Sequence, residues 1–347
     1  MNALLNCPVP ETSMGVISLG HGSGGEMTNE LLDAAVFSLF SNPYLDTRHD
    51  GGMIDLQGKI AISTDSFVVS PLFFPGGNIG DLAVNGTIND LAMCGASPRY
   101  LSLALILEEG LAISDLEKIL LSVRNACAAS GVEIITGDTK VVEHGKGDKI
   151  FINTTGIGTV HRDARIGTKN IKKGDSLILS GNLATHGITL MSLRRGLEFQ
   201  TSLTSDTRPL HRMTSSLLDT FGSKIHFMRD PTRGGLATVL NEAARDSGFG
   251  IRMAESLLPI HEEVENACEL LGLDPLHVAN EGIFAAIIDG SVADQCLASI
   301  REFGEGKDAA IIGEVIHDPS HRVTMESITG GTRVIRMLPG MQLPRIC

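Results

Sequence analysis

The sequence predicts an α+β protein, with the strand–helix alternation of α/β folds, built as two domains. Three observations carry that reading. Apolar strand-like runs and amphipathic helical runs alternate through both halves of the chain. The 347 residues exceed what one hydrophobic core comfortably serves. Residues 161–175 change character: Arg162, Arg165, Lys169, Lys172 and Lys173 cluster around Gly167 and Gly174, as at a domain boundary. The expected division is 1–163, 164–335 and a tail, 336–347.

The elements follow in order. Residues 1–20 read as a lead-in to His21-Gly22-Ser23-Gly24-Gly25. Residues 26–40 then carry helical spacing, with Leu31, Leu32, Ala35, Val36 and Leu39 on one face. A strand is expected at 59–64, a Pro/Gly-rich loop at 72–80, a helix at 81–94 and a strongly apolar strand at 101–107. Ser114 reads as the N-cap of a helix to residue 130, with Glu117 completing a capping box and Gly131 ending it. Strands are expected at 132–136 and 150–160. The second half predicts strands at 176–180, 224–228, 250–253, 283–289 and 309–315. Its helices are expected at 185–195, 211–221, 235–247, 262–271 and 292–303. From Arg336 onward, Pro339, Gly340 and Pro344 disfavour both helix and strand, which predicts an extended, mobile tail.

Composition excludes several classes. Acidic residues number 41 and basic residues 28, for a net charge of −13, which argues against a nucleic-acid binder that needs a basic footprint. The cysteines at 7, 94, 127, 268, 296 and 347 show no C-x-x-C spacing and are too sparse for a disulfide scaffold. Cys94, Cys127, Cys268 and Cys296 lie in apolar helical text and are expected in the core. The first basic residue is Arg48, so a signal peptide is not expected, and no apolar run approaches a membrane span. The expectation is a cytoplasmic protein without membrane contact. Cys347 is the last residue, which does not fit the C-a-a-X prenylation pattern.

Candidate chemistry gathers at three kinds of place. Asp65, Asp138 and Asp230 each follow an apolar strand run. Strand ends are where ligand sites form in α/β proteins, and converging carboxylates suit a hard cation such as Mg²⁺. Each one alone also fits an Asx turn or an N-cap. The glycine-rich 21–25 and Asp230-Pro-Thr-Arg-Gly-Gly235 both precede helices, where backbone N–H groups can meet phosphate, though neither is a Walker A loop. In the 81–94 helix, Asp81, Asn85 and Asn89 share a face and Asp90 lies opposite. The wheel does not choose between Asp81 and Asp90 as a ligand.

Thr64-Asp-Ser66, Asn89-Asp-Leu-Ala-Met-Cys-Gly-Ala-Ser-Pro98, Thr136-Gly-Asp-Thr-Lys140 and Arg229-Asp-Pro-Thr-Arg-Gly-Gly235 together resemble the aminoimidazole ribonucleotide synthetase (PurM-like) superfamily. Within it, His21–Gly25, the loop 71–80, Ala279-Asn-Glu-Gly282 and the terminal Pro344-Arg-Ile-Cys347 resemble the HypE family of hydrogenase maturation proteins. The resemblance runs from residue 21 to residue 347.

It implies a two-domain PurM-like fold, with an N-terminal ATP-binding domain, a C-terminal α/β domain and the mobile tail. It implies ATP and Mg²⁺ as cofactors. Asp65, Asp90, Asp138 and Asp230 would serve as metal and nucleotide ligands, and Gly22, Gly24 and Gly25 would lie against the phosphates. Cys347 would carry a carbamoyl group, placed there by a HypF-type partner, and ATP would drive its dehydration from thiocarbamate to thiocyanate. The cyano group would pass to iron held by a HypC–HypD complex for the [NiFe] hydrogenase centre. A homodimer through the first domain is expected. A thiolate suits the carrier role. Dehydration needs a base near the nitrogen: Glu281 is the first candidate and Lys140 the second, as a polarising cation or proton shuttle. His21 and Arg233 could face phosphate, but structural roles are the commoner fate of such residues. Two other readings compete: another ATP-using member of the superfamily, such as selenophosphate synthetase or a small-molecule kinase, and a scaffold without turnover. Selenophosphate synthetase carries its reactive Cys or selenocysteine within the glycine-rich stretch, whereas here Cys7 lies upstream of it.

Overall fold

Apolar strands bury themselves only where helices cover them, and the two halves of this chain meet that need differently. The computed structural model describes residues 15–195, 203–340 and Ile346. Cys7 and Cys347 lie outside the described residues. The first half runs Glu26–Leu32 (α1), Ser38–Phe40 (α2), Ile60–Phe67 (β1), Phe73–Phe74 (β2), Gly77–Asn78 (β3), Ile79–Met93 (α3), Ala96–Glu108 (β4), Ile113–Ser130 (α4), Glu133–Val142 (β5) and Ile150–Val160 (β6). Four strands form a sheet in the order β1-β6-β4-β5, with β4 and β5 parallel and the other pairs antiparallel. Helices α3 and α4 cover one face, burying Leu101, Leu103, Leu105 and Leu107 of β4. On the other face, Ile62 and Ile106 remain exposed.

The second half runs Ser176–Leu179 (β7), Thr185–Arg194 (α5), His211–Phe221 (α6), Ile225–Arg229 (β8), Gly235–Ser247 (α7), Gly250–Ala254 (β9), Glu262–Leu271 (α8), Ala285–Ile288 (β10), Ala293–Arg301 (α9), Ala310–Ile316 (β11), Val323–Glu326 (β12) and Thr332–Ile335 (β13). Its sheet has the order β13-β12-β9-β11-β7-β10-β8 and is covered on both faces. Along β7, Leu177 and Leu179 join the core under α7 and α8, while Ile178 joins the one under α6 and α9. Two-sided burial explains why these strands read as continuous apolar runs. The halves share apolar surface: Ala92 and Met93 of α3 pack in the core that holds Met213 and Leu217 of α6. No helix among the described residues is long and apolar enough to cross a membrane.

Several expectations need correction. Strands β1 and β5 are longer than predicted, so Asp65 and Asp138 lie within strands; only Asp230 follows one. Ladder pairing with β6 and β4 carries the polar residues along. The 72–80 loop contains the β2–β3 hairpin, and α3 begins at Ile79. Helix α4 starts at Ile113 with Ala112 as N-cap and no side-chain cap, because Ile113 N–H is drawn to Gly15 O; Ser114 therefore sits inside the first turn. The 26–40 helix is broken by a π-turn at Asp33–Phe37. Strands β12 and β13 had no signal strong enough to predict. Cys94 is exposed just past α3, whereas Cys127, Cys268 and Cys296 are buried as expected.

Candidate active site

Helix α3 organises the centre of the molecule. It lies between the first sheet and the second half, and every residue except Asp81 and Asp90 is buried. The two acids of the helix that were alternatives as ligands point to different places. Asp81 caps the helix start, accepting the Asn78 N–H at 2.9 Å. Asn85 donates to Thr207 Oγ1 at 3.3 Å, and Asn89 donates to the carbonyls of Arg208 and Glu281 at 3.0 and 3.2 Å. Asn89 Oδ1 accepts Leu210 N–H at 2.8 Å. Asp90 turns the other way, to β1, where Ser63 Oγ donates to it at 2.5 Å.

Asp65, Asp90 and Asp230 form an acidic group around that end of α3. In the sheet, Asp65 shares a row with Thr154, Leu103 and Gly137, and Thr154 and Leu103 point into the core beneath the helices. Burial raises the Asp90 carboxyl above its usual range, and Asp65 adds to the rise while Ser63 opposes it. Asp230 is pushed up to about 7, by burial first and then by the charge of Asp90, with Asp65 contributing less. Like charges gathered in a partly buried place favour a cation between them. Among the described residues no three metal-competent side chains already stand in a ligating arrangement.

Asp138 lies elsewhere. It pairs in register with Ala104, and that row continues through Asn153 to Ser66, one residue out of step with the Asp65 row. Strand alternation sends it to the open face, and β5 stands three strand spacings from β1, about 14 Å. Lys140 Nζ donates to Asp138 Oδ1 at 2.5 Å, and both side chains are exposed. This pair borders a cavity of about 440 Å³ that Gly22, Gly24 and Tyr44 also line. A Cβ on Gly22 would stand 2.9 Å from the Val141 backbone nitrogen, so only glycine lets this loop lie against β5. Gly25 is the N-cap of α1. His21 is buried and accepts Ser18 N–H at 3.0 Å, a structural role. Arg233 is exposed.

Glu281 sits at the junction of the two halves and is 2% exposed. Its neighbours are held from several sides. Asn280 accepts Ala184 N–H at 2.6 Å and donates to Pro231 O at 2.9 Å, tying the 279–282 loop to the loop that bears Asp230. Asp206 accepts the N–H groups of Glu281 and Gly282, each at 3.1 Å. A side chain on Gly282 would meet Asp206 O at 1.7 Å. Ile346 is buried in the core of the first half, and its carbonyl receives a hydrogen bond from His186. Asn280 lies inside the Ala279–Gly282 motif, though sequence alone gave it no role; Asp206 and His186 were invisible to sequence reasoning. Their partners lie far away in the chain, and no motif or periodicity marks them.

Comparison with known proteins gives a consistent picture. Residues 48–160 match the AIR synthase related protein N-terminal domain, and residues 172–326 its C-terminal domain. The chain is 47% identical over 334 residues to the carbamoyl dehydratase HypE of Azotobacter vinelandii, covering 96% of this chain and 98% of that protein. A crystal structure of hydrogenase maturation protein HypE in complex with ATP superposes with a TM-score of 0.92 at 46% identity, over 95% of this chain and 99% of the other. The HypE of a HypE–HypF complex superposes with a TM-score of 0.79 at 44% identity, over 89% and 99%.

Proposed function

We infer the chemistry of this chain from one premise: it belongs to the HypE family of carbamoyl dehydratases. It is an ATP-using enzyme of hydrogenase maturation with the two-domain PurM-like fold. That premise removes selenophosphate synthetase, a small-molecule kinase and an inert scaffold as competing readings.

The finer chemistry is our proposal. Cys347 carries a carbamoyl group as a thiocarbamate, R–S–C(=O)–NH₂. The carbamoyl oxygen attacks the γ-phosphorus of ATP and ADP leaves. The nitrogen loses one proton as the C=N bond forms and a second as the C–O bond breaks. Phosphate departs with the oxygen, leaving R–S–C≡N. Water is removed in formal terms only, since its oxygen ends in phosphate. Glu281 is the base nearest in role, held at the junction of the two halves where its loop cannot drift. Lys140, on the open sheet face, supplies positive charge toward the phosphates.

Asp65, Asp90 and Asp230 are the residues of one chain that would hold Mg²⁺, and their mutual repulsion fits that group. When bound, it neutralises charge on the transferring phosphoryl oxygens. Asp138 can join them only from a second copy, because it occupies the opposite edge and face of the sheet. A homodimer across that open face, covering Ile62 and Ile106, would meet both needs. Gly22, Gly24 and Gly25 would lie along the phosphates. A HypF-type protein would load the carbamoyl group, and a HypC–HypD complex would receive the cyano group for iron.

The observation that carries the reading is the burial of Ile346 beside the segment that holds Glu281, one peptide bond from Cys347. The test is mass spectrometry of the C-terminal peptide after incubation with a carbamoyl donor system, then with ATP and Mg²⁺. The expected result is a carbamoyl adduct on Cys347 that loses one water only when ATP is present. An adduct unchanged by ATP overturns the reading.

A further inference from the structure

One buried titratable group has no part in the chemistry above. His186, in the first turn of α5, is 0% exposed. Its Nε2 lies 3.0 Å from the carbonyl oxygen of Ile346, 160 residues away in sequence. Its Nδ1 lies 2.7 Å from Ser205 Oγ. The edge of the Phe74 ring closes the pocket at 5.7 Å between centroids.

These contacts fix the tautomer. A carbonyl only accepts, so Nε2 carries the hydrogen. Burial favours the neutral ring, so Nδ1 is left as an acceptor and Ser205 O–H donates to it. Ser205 Oγ in turn accepts Thr207 N–H at 3.1 Å, and Ser205 N–H is held by Pro75 O at 2.8 Å. Along the hydrogen-bond path from Pro75 O through Ser205 and His186 to Ile346 O, each donor meets an acceptor. The next residue, Asp206, holds the Glu281 loop. One short segment therefore anchors both the end of the chain and the candidate base.

We propose that His186 is a positioning residue that latches the C-terminal segment through the Ile346 carbonyl, with Ser205 fixing its tautomer, so that the carrier residue is registered against the Glu281 loop. The catalytic meaning of this latch rests on the reading of Cys347 as carrier, but its existence does not.

The experiment uses the full-length chain and two isosteric half-mimics. In His186→Gln the amide nitrogen stands where Nε2 stood and can still donate to Ile346. In His186→Asn the amide reaches toward Ser205 and leaves Ile346 without a donor. Carboxypeptidase release of the last two residues from the native protein is followed by mass spectrometry. Loss of one buried hydrogen bond should speed release about fivefold to tenfold in His186→Asn, with His186→Gln close to wild type. A general packing defect would move both variants alike, so equal release from the two overturns the latch, as does an unchanged rate in His186→Asn. In the dehydration assay the latch lowers kcat in His186→Asn and leaves KM for ATP unchanged. Digestion needs no turnover, so failure of the latch and failure of the carrier reading are seen separately.

Discussion

Asp206 accepts the backbone N–H of Glu281 at 3.1 Å, and the same carboxylate accepts Gly282 N–H. Both donors are buried, as is Asp206 itself. The candidate base is thus positioned by an acid 75 residues upstream, and Asn89 of the other half holds its carbonyl at 3.2 Å.

Replacing Asp206 by Ala leaves two buried N–H groups unpartnered. Each costs about 1–3 kcal/mol, so the variant should lose roughly 2–6 kcal/mol of stability. Asp206→Asn keeps one accepting oxygen and should lose less. Chemical denaturation reads both, and equal stability of Ala and wild type would show that the loop is held by something else.

The acidic group predicts a metal response. Mg²⁺ should raise the Tm of the wild-type protein by a few degrees, at about 2–4 °C per kcal/mol of binding. Asp230→Asn removes the member whose charge is most disfavoured, by burial first and then by Asp90. It should be more stable than wild type without metal and should lose the Mg²⁺-dependent rise. A variant that keeps the full rise removes Asp230 from the ligand set.

The open sheet face predicts association. Ile62→Glu or Ile106→Glu places a charge where a second copy would pack. Light scattering should show a dimer for the wild type and a monomer for either variant, with little change in monomer fold. A wild-type monomer at micromolar concentration would refute pairing through this face.

Acid should destabilise the buried His186 site, because a protonated ring can no longer accept from Ser205. Burial pushes the His186 imidazole below its ordinary range, with Arg194 pushing the same way and Asp206 and the Ile346 carbonyl opposing. The folded state therefore binds the proton less readily than the unfolded chain. Stability from this group is complete above about pH 6.5 and is lost as pH falls through the folded value. His211, also buried and depressed, acts in the same direction. The fall in Tm on the acid side should be shallower in His186→Gln than in wild type. Parallel profiles would assign the acid sensitivity to other groups.

Where local rules decide the outcome, the sequence was legible. Gly131 ends α4 in the left-handed conformation, at φ +70°, as its position after the helical run required. Helices α6, α7 and α8 fall on their predicted bounds, because each has a one-sided apolar stripe and a clear stop. Misreadings arose where tertiary pairing overrode local text. Polar Asp65 and Ser66 continue β1 beyond its expected end because β6 supplies partners. Helix α3 defeats the amphipathic rule because it is covered on both sides.

By itself the sequence determined the class of fold, the division into two halves, the carboxylate-bearing motifs and the family they resemble. Those properties live in composition, period and short ordered motifs, which act over a few residues. Only the tertiary structure separated Asp90 from Asp81, moved Asp138 away from Asp65, and joined His186, Ser205 and Asp206 to residues 75–160 positions away. Strand order, sheet face and the seating of one half on the other set these relationships, and they arise from buried area and satisfied hydrogen bonds summed over the whole molecule, which no local stretch of sequence encodes.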